Sequence, residues 1–293
     1  MIVVTAPFGA PPAPPLAVVD ATTTFDLVDV LLLLDLTRSM QVELGTVRAR
    51  LLDMIEQVQG APWEGPAVEG CVPDVWVGFA WFTESDSEPD GDGLSSYTNV
   101  KNLTGLHAAV QSAIPRGTET GQDEAQRAAV YCAAHGPGGL CPMDAQNLDA
   151  FPCPAGHVGY PCFRPDSRRM LVLLTDEEMD QNPVPSAEEV AEELLAAQIT
   201  FIGINAEISR ADAVTEDLVD LAARTGSVDE LGEPLVYFGA DDAVDEAVVE
   251  ALATAARVPR DITLSVEDDP EDEVDATALI YQLEVNSEGP GRS

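Results

Sequence analysis

Asp35, Thr37 and Ser39 stand at alternate positions directly after a near-continuous apolar run, in the stretch "VDVLLLLDLTRSM". A chain leaving a strand turns every second side chain to the same side, so the three oxygens face one point while Leu36 and Arg38 point elsewhere. A second carboxylate, Asp176, follows another apolar run in "LLTDEEMD", and "IPRGTETGQDEA" offers Thr118 and Thr120 just before a helical pattern. Carboxylates and hydroxyls are hard oxygen donors, the set that suits octahedral Mg2+ or Mn2+. The competing reading makes Asp35, Ser39 and Asp176 helix N-caps, since Asp, Ser and Thr are common in that role. Three such stretches at three strand or loop ends, in an order that brings them to one edge, favour the metal.

The elements that must position these residues alternate. "FDLVDVLLLLD" and "RRMLVLLTD" read as strands covered on both faces. "SMQVELGTVRARLLDMIEQV" places Val47, Leu51, Met54, Ile55 and Val58 on one helical stripe, and "DEAQRAAVYCAAHG" ends at Gly136. "SAEEVAEELLAAQ" opens with Ser186 and Glu189 in capping-box spacing and yields to the strand "ITFIGIN". Helix "TEDLVDLAARTG", strand "LVYFGA" and helix "DDAVDEAVVEALATAA" complete the series. The predicted fold is α/β, a doubly wound and mostly parallel sheet over about Phe25 to Val258. "DVWVGFAWFTE" and "YTNVKNLT", joined only by "SDSEPDGDGLSS", read as a hairpin that puts one antiparallel strand at the edge. That connection loosely resembles a calcium loop, but it begins at Glu88 and has Asn99 where the closing Glu belongs. In doubly wound sheets ligands bind beyond the carboxyl ends of the strands, where the strand order switches.

Composition excludes some partners. Fifty-two acidic residues against fourteen basic ones give a formal charge of −38, and Lys101 is the single lysine, so nucleic acid is not an expected partner. No apolar run reaches the roughly 20 residues that span a bilayer, so no membrane insertion is expected from this segment. Residues 1–24 read as a Pro-rich linker without the basic region of a signal peptide, and 268–293 as an acidic tail or the start of a further domain. Cys132, Cys141, Cys153 and Cys162 punctuate a Gly/Pro-rich insert, 132–165, without the close pairs of a zinc site, which favours disulfides in an oxidising compartment. Of three connectivities, Cys132 with Cys141 and Cys153 with Cys162 is the expected one because each closes a short loop; Cys71 is the odd one out.

These motifs resemble a von Willebrand factor type A domain with its metal-ion-dependent adhesion site, whose first motif is Asp-x-Ser-x-Ser; here it reads "DLTRS". The resemblance assigns Asp35, Thr37 and Ser39 to the first loop, Thr120 of "RGTETG" to the second and Asp176 of "TDEE" to the third. In the order and spacing of "VDVLLLLDLTRSM", "VWVGFAWFTE", "AAVYC", "ITFIGIN" and "VPRDITLSVE", the chain is similar to the I-like domain of integrin β subunits over residues 25–267. That family holds Ca2+ at flanking sites; of the paired first-loop acids only Glu43 is present, next to Val42. Thr120 occupies the place of a family Glu, and Glu177 replaces the usual Gly. The family's disulfide-closed specificity loop is missing before Asp74, and the insert instead follows the helix beginning near Thr120, which assigns it to the edge opposite the metal.

The resemblance implies a binding module rather than an enzyme: Mg2+ or Mn2+ at the top of the sheet, capturing an acidic side chain of a protein partner, on a piece of a larger bacterial surface protein. In the last helix, Ala247, Ala251 and Ala255 form a small-residue face suited to sliding. The alternatives are an intracellular, chelatase-like assembly subunit and a metal-dependent hydrolase. Against catalysis, the sequence has no P-loop, no nucleophile elbow, and no His near the ligand stretches.

Overall fold

The computed structural model describes residues 27–35, 37–59, 74–82, 96–102, 126–141, 153–179, 185–207, 211–229, 231–240 and 243–257. Thr118, Thr120, Cys71, the connection 83–95, the segments 1–24 and 268–293 and the expected domain boundaries lie outside them, as do the side chains of Leu51, Met54, Ile55, Val58 and Ala255.

Strand β1 is Leu27–Asp35, followed by a 3-10 turn, Arg38–Met40, and helix α1, Gln41–Gln59. Strands β2, Asp74–Phe82, and β3, Ser96–Asn102, come next, then helix α2, Gln126–His135. The remainder alternates: β4, Arg168–Thr175; α3, Ala187–Ala196; β5, Ile199–Asn205; α4, Ala211–Arg224; β6, Val236–Phe238; and α5, Val244–Arg257. The sheet order is β3-β2-β1-β4-β5-β6. Strands β2, β1, β4, β5 and β6 run parallel, whereas β3 pairs antiparallel with β2.

Side-chain alternation splits the central strands between two cores. Val30, Leu32 and Leu34 of β1 and Met170, Val172 and Leu174 of β4 pack with α1 and α5; Leu31, Leu33, Leu171 and Leu173 pack on the other face with α2, α3 and α4. Burying both faces is what demands a near-continuous apolar run rather than a polar alternation. Each fully buried Leu or Val adds about 1.5–3 kcal/mol relative to exposure. At Gly203, an added Cβ would stand 3.0 Å from Leu218 Cβ, so a bare backbone lets α4 lie close to β5. Among the described residues no helix is long and apolar enough to cross a membrane.

Helix ends follow local chemistry. Ser186 and Glu189 form a complete capping box at α3. Gly136, at φ +82°, ends α2 and sends its N–H to Cys132 O at 2.9 Å. Helix α1 follows β1 on one face, while β4 leads to α3 on the other, so the carboxyl ends of β1 and β4 flank the switch in winding.

The insert is closed by Cys132–Cys141 and Cys153–Cys162. It docks through Arg164, whose backbone N–H donates to Asp29 Oδ2 at 2.6 Å and whose Nε donates to Oδ1 at 2.7 Å. The same guanidinium lies 4.3 Å from the Trp76 ring centroid. Asp29 is wholly buried within β1, an arrangement that a carboxylate tolerates only with a charged, hydrogen-bonded partner. Arg169 ties the same corner down, donating to the carbonyls of Arg164, Pro165 and Ala197. Asp29 and Asp35 lie at opposite ends of β1, roughly 20 Å apart at strand rise. The insert therefore grips the edge away from the Asp35 loop.

Candidate metal centre

Asp35 is the last residue of β1 and is completely buried. Its Oδ1 accepts two bonds from Thr37, from the backbone N–H at 2.9 Å and from the hydroxyl at 2.7 Å. This short loop of an Asp side chain onto the backbone two residues on is the local reason the chain turns here. Oδ2 accepts from the Thr175 hydroxyl at 2.8 Å, across the β1/β4 pair. Thr37 Oγ1 lies 3.1 Å from Ser39 Oγ, which donates to Asp176 Oδ1 at 3.1 Å. Four side chains from two loops thus form one unbroken line of oxygens.

Capping does not account for these residues. Thr37 holds the N-cap position of the 3-10 turn, but its side chain makes no capping bond and turns to Asp35 instead. The cap of α3 is Ser186, ten positions beyond Asp176.

The electrostatics have one sign. Burial pushes the Asp35 carboxyl up to about 6, against the lowering effect of its bonds from Thr37 and Thr175. Asp176 is pushed up to about 7, first by burial and then by the charge of Asp35, with Glu177 and Glu207 adding to the rise and the Ser39 bond opposing it. Among the described residues, none of the largest causes of these two rises is a Lys or Arg. The cluster is a place where two carboxylates need positive charge, and its donors are the hard oxygens that Mg2+ or Mn2+ prefers. Among the described residues no three His, Cys, Asp or Glu side chains gather as metal ligands, so the candidate centre relies on hydroxyls to complete the set. Ser39 is exposed, and the cluster opens to solvent there.

The structure brings together Asp35, Thr37, Ser39 and Asp176. Thr120 lies outside the described residues. Glu43 lies in the first turn of α1, buried, one turn past Ser39. Two further residues reach the cluster: Thr175, and fully buried Gln126, whose Nε2 is 3.5 Å from Thr175 Oγ1. Thr175 was legible in principle, since it precedes Asp176 at the end of a strand. Gln126 had no sequence signal, because its reach depends on where α2 lands.

No family model matches the sequence, and no curated protein does. Among solved structures, the chain is similar to the pilus adhesin SpaC from Lactobacillus rhamnosus GG in its open conformation, at 13% identity and TM-score 0.47, over 78% of this chain and 30% of that one. It is similar to proximal thread matrix protein 1 from the mussel byssus with a zinc-occupied MIDAS motif, at 14% identity and TM-score 0.46, over 80% of this chain and 47% of that one. It is also similar to the SpRpn10 VWA domain, at 10% identity and TM-score 0.41, over 76% of this chain and 94% of that one. The chain spans less than half the length of the first two. Its own strand order brings the loops after β1 and β4 together at the switch point of a doubly wound, mostly parallel α/β sheet, the fold class that the von Willebrand factor type A resemblance implies.

Proposed function

We propose that this chain is a metal-ion-dependent protein-binding module of the adhesion type, acting without catalysis. The observation that carries the reading is the line Asp35, Thr37, Ser39, Asp176, which joins two carboxylates through two hydroxyls at the switch point and opens to solvent at Ser39. Asp35, Thr37, Ser39 and Asp176 would hold Mg2+ or Mn2+, with Thr120 supplying a further hydroxyl. A cation held by these residues would supply Lewis acidity that attracts an anionic oxygen reaching the cluster past exposed Ser39. Two carboxylates would balance the charge of a divalent ion but fill only part of its coordination shell, which leaves room for a carboxylate oxygen from a Glu or Asp side chain of a partner. Glu43 is the one first-loop acid available to a flanking Ca2+.

The disulfides support an extracellular setting, because such bonds persist in oxidising compartments. The partner is a protein presenting an acidic side chain on a surface the module adheres to.

Titration calorimetry of the full chain with Mg2+ and with Mn2+ tests the reading. Wild type should bind, and Asp35→Ala, checked for native circular dichroism, should not. Equal affinity in the two proteins would sink the metal centre, and the adhesion reading with it. Capture of native surface proteins in Mg2+ but not in chelator is the expected companion result.

A further inference from the structure

Asp176 is the one carboxylate of the cluster that lies beyond the sheet ladder, on the segment that follows Thr175. Side chains of two helices, neither of which supplies a described oxygen to the cluster, hold that segment. Gln126, at the start of α2, donates from Nε2 to Glu178 O at 3.3 Å. Its neighbour Arg127 donates from Nη2 to Met179 O at 3.0 Å. The Met179 N–H donates to Asp217 Oδ2, on α4, at 2.8 Å. Both backbone groups of Met179 are therefore held by charged side chains, one from α2 and one from α4, while its own side chain is buried among α2, α3 and α4.

We propose that Arg127 and Asp217, assisted by Gln126, are positioning residues of the metal centre: they fix the backbone of residues 176–179 and so set the distance between Asp176 and the Asp35 loop. Metal centres tolerate ligand displacements of only about 0.2 Å, and Met179 lies three residues from Asp176, within about 10 Å even if the chain were extended. A release at Met179 is thus transmitted to the carboxylate through a few backbone torsions. Asp35 needs no such device, because it lies in the ladder with β2, opposite Phe82. Burial pushes the Asp217 carboxyl above the ordinary carboxylate range, and the bond from the Met179 N–H and then the Arg127 charge oppose that rise.

The inference rests on the metal-binding reading, and one set of titrations separates the two. Mn2+ affinity is measured on the full chain for wild type, Arg127→Ala, Asp217→Ala, Asp217→Asn and, as a control on the same helix, Asp220→Ala. Outer groups that orient ligands are worth about 10–100-fold in metal affinity, the loss expected for Arg127→Ala and Asp217→Ala. Asp217→Asn should recover most of it, because its amide oxygen still accepts from Met179 N–H. Asp220→Ala should match wild type. Hydrogen exchange at Met179 should accelerate in Asp217→Ala and return toward wild type in Asp217→Asn. If either alanine variant fails to fold, Arg127→Met and Asp217→Leu, which keep volume and lose the polar contact, take its place. Wild-type Mn2+ affinity in the folded variants overturns the positioning role alone; no Mn2+ binding by wild type overturns the centre and this inference together.

Discussion

The Thr175 hydroxyl donates to Asp35 Oδ2 at 2.8 Å, across 140 positions of sequence and one strand pair. The contact joins the last residues of β1 and β4, and so fixes the floor on which the loops carrying Thr37, Ser39 and Asp176 stand. Asp35 is fully buried and takes its other bonds from Thr37, so Thr175 alone serves its second oxygen among the described hydrogen bonds. Thr175→Val keeps the shape and removes the donor. An acceptor stranded in this way costs about 1–3 kcal/mol. Urea unfolding at pH 7.5 should show that loss, and the loss should shrink when Asp35→Ala is already present. Full additivity of the two changes would show that the bond does not matter.

Acidity gives a second outcome. Asp35 and Asp176 are held at about 6 and about 7, above the ordinary carboxylate range near 4. The folded state therefore holds these protons more tightly than the unfolded chain. The resulting stability is fully present below about pH 4 and is lost as pH rises through 6 and 7. In chelator, the wild-type urea midpoint should fall between pH 5 and pH 8. The net charge of −38 acts in the same direction through self-repulsion, so the test is the difference. Asp35→Asn with Asp176→Asn should flatten the dependence, as should saturating Mg2+. An unchanged slope in the double variant contradicts the assignment.

At the other end of β1, Arg164→Met would take the guanidinium partner from buried Asp29 and keep only the bond from the residue 164 backbone N–H among those described. Breaking a buried pair on one side costs about 3–5 kcal/mol, whereas replacing both members by apolar groups is often neutral. Arg164→Met should thus be strongly destabilising, and Asp29→Leu with Arg164→Met should regain most of the loss. A double variant no more stable than the single one would mean that Arg164 matters chiefly through its packing on Trp76.

Non-reducing peptide mapping should recover Cys132 joined to Cys141 and Cys153 joined to Cys162. Each closes a loop with a sequence separation of 9, worth about 2–3 kcal/mol by chain entropy. Because the insert grips the edge away from Asp35, replacing either pair by Ser should lower the thermal midpoint and leave Mn2+ affinity within about twofold of wild type. A large loss of affinity would place the insert in contact with the centre.

Local order was legible because it is written at short range. The near-continuous apolar run of "VDVLLLLD" marks a strand buried on both faces, and Asp35, Thr37 and Ser39 converge within five residues because the Asp35 carboxylate takes bonds from Thr37 and a 3-10 turn brings Ser39 alongside. Ser186 and Glu189 close a capping box three residues apart, and Gly136 stops α2 with a positive φ, without help from any distant part of the chain. The cysteine pairing also follows from short loops. What tertiary structure alone decided are contacts whose partners lie far apart in the chain. Ser39 meets Asp176 across 137 positions only because β1 and β4 are neighbours in register. Asp29 reads as a misplaced charge inside a strand until Arg164, 135 positions later, reaches it. Gln126, Arg127 and Asp217 look like ordinary polar residues of helices, and no spacing marks them. Their role arises from where α2 and α4 settle on the sheet, which is set by the summed packing of an apolar face rather than by any pair of residues read along the chain.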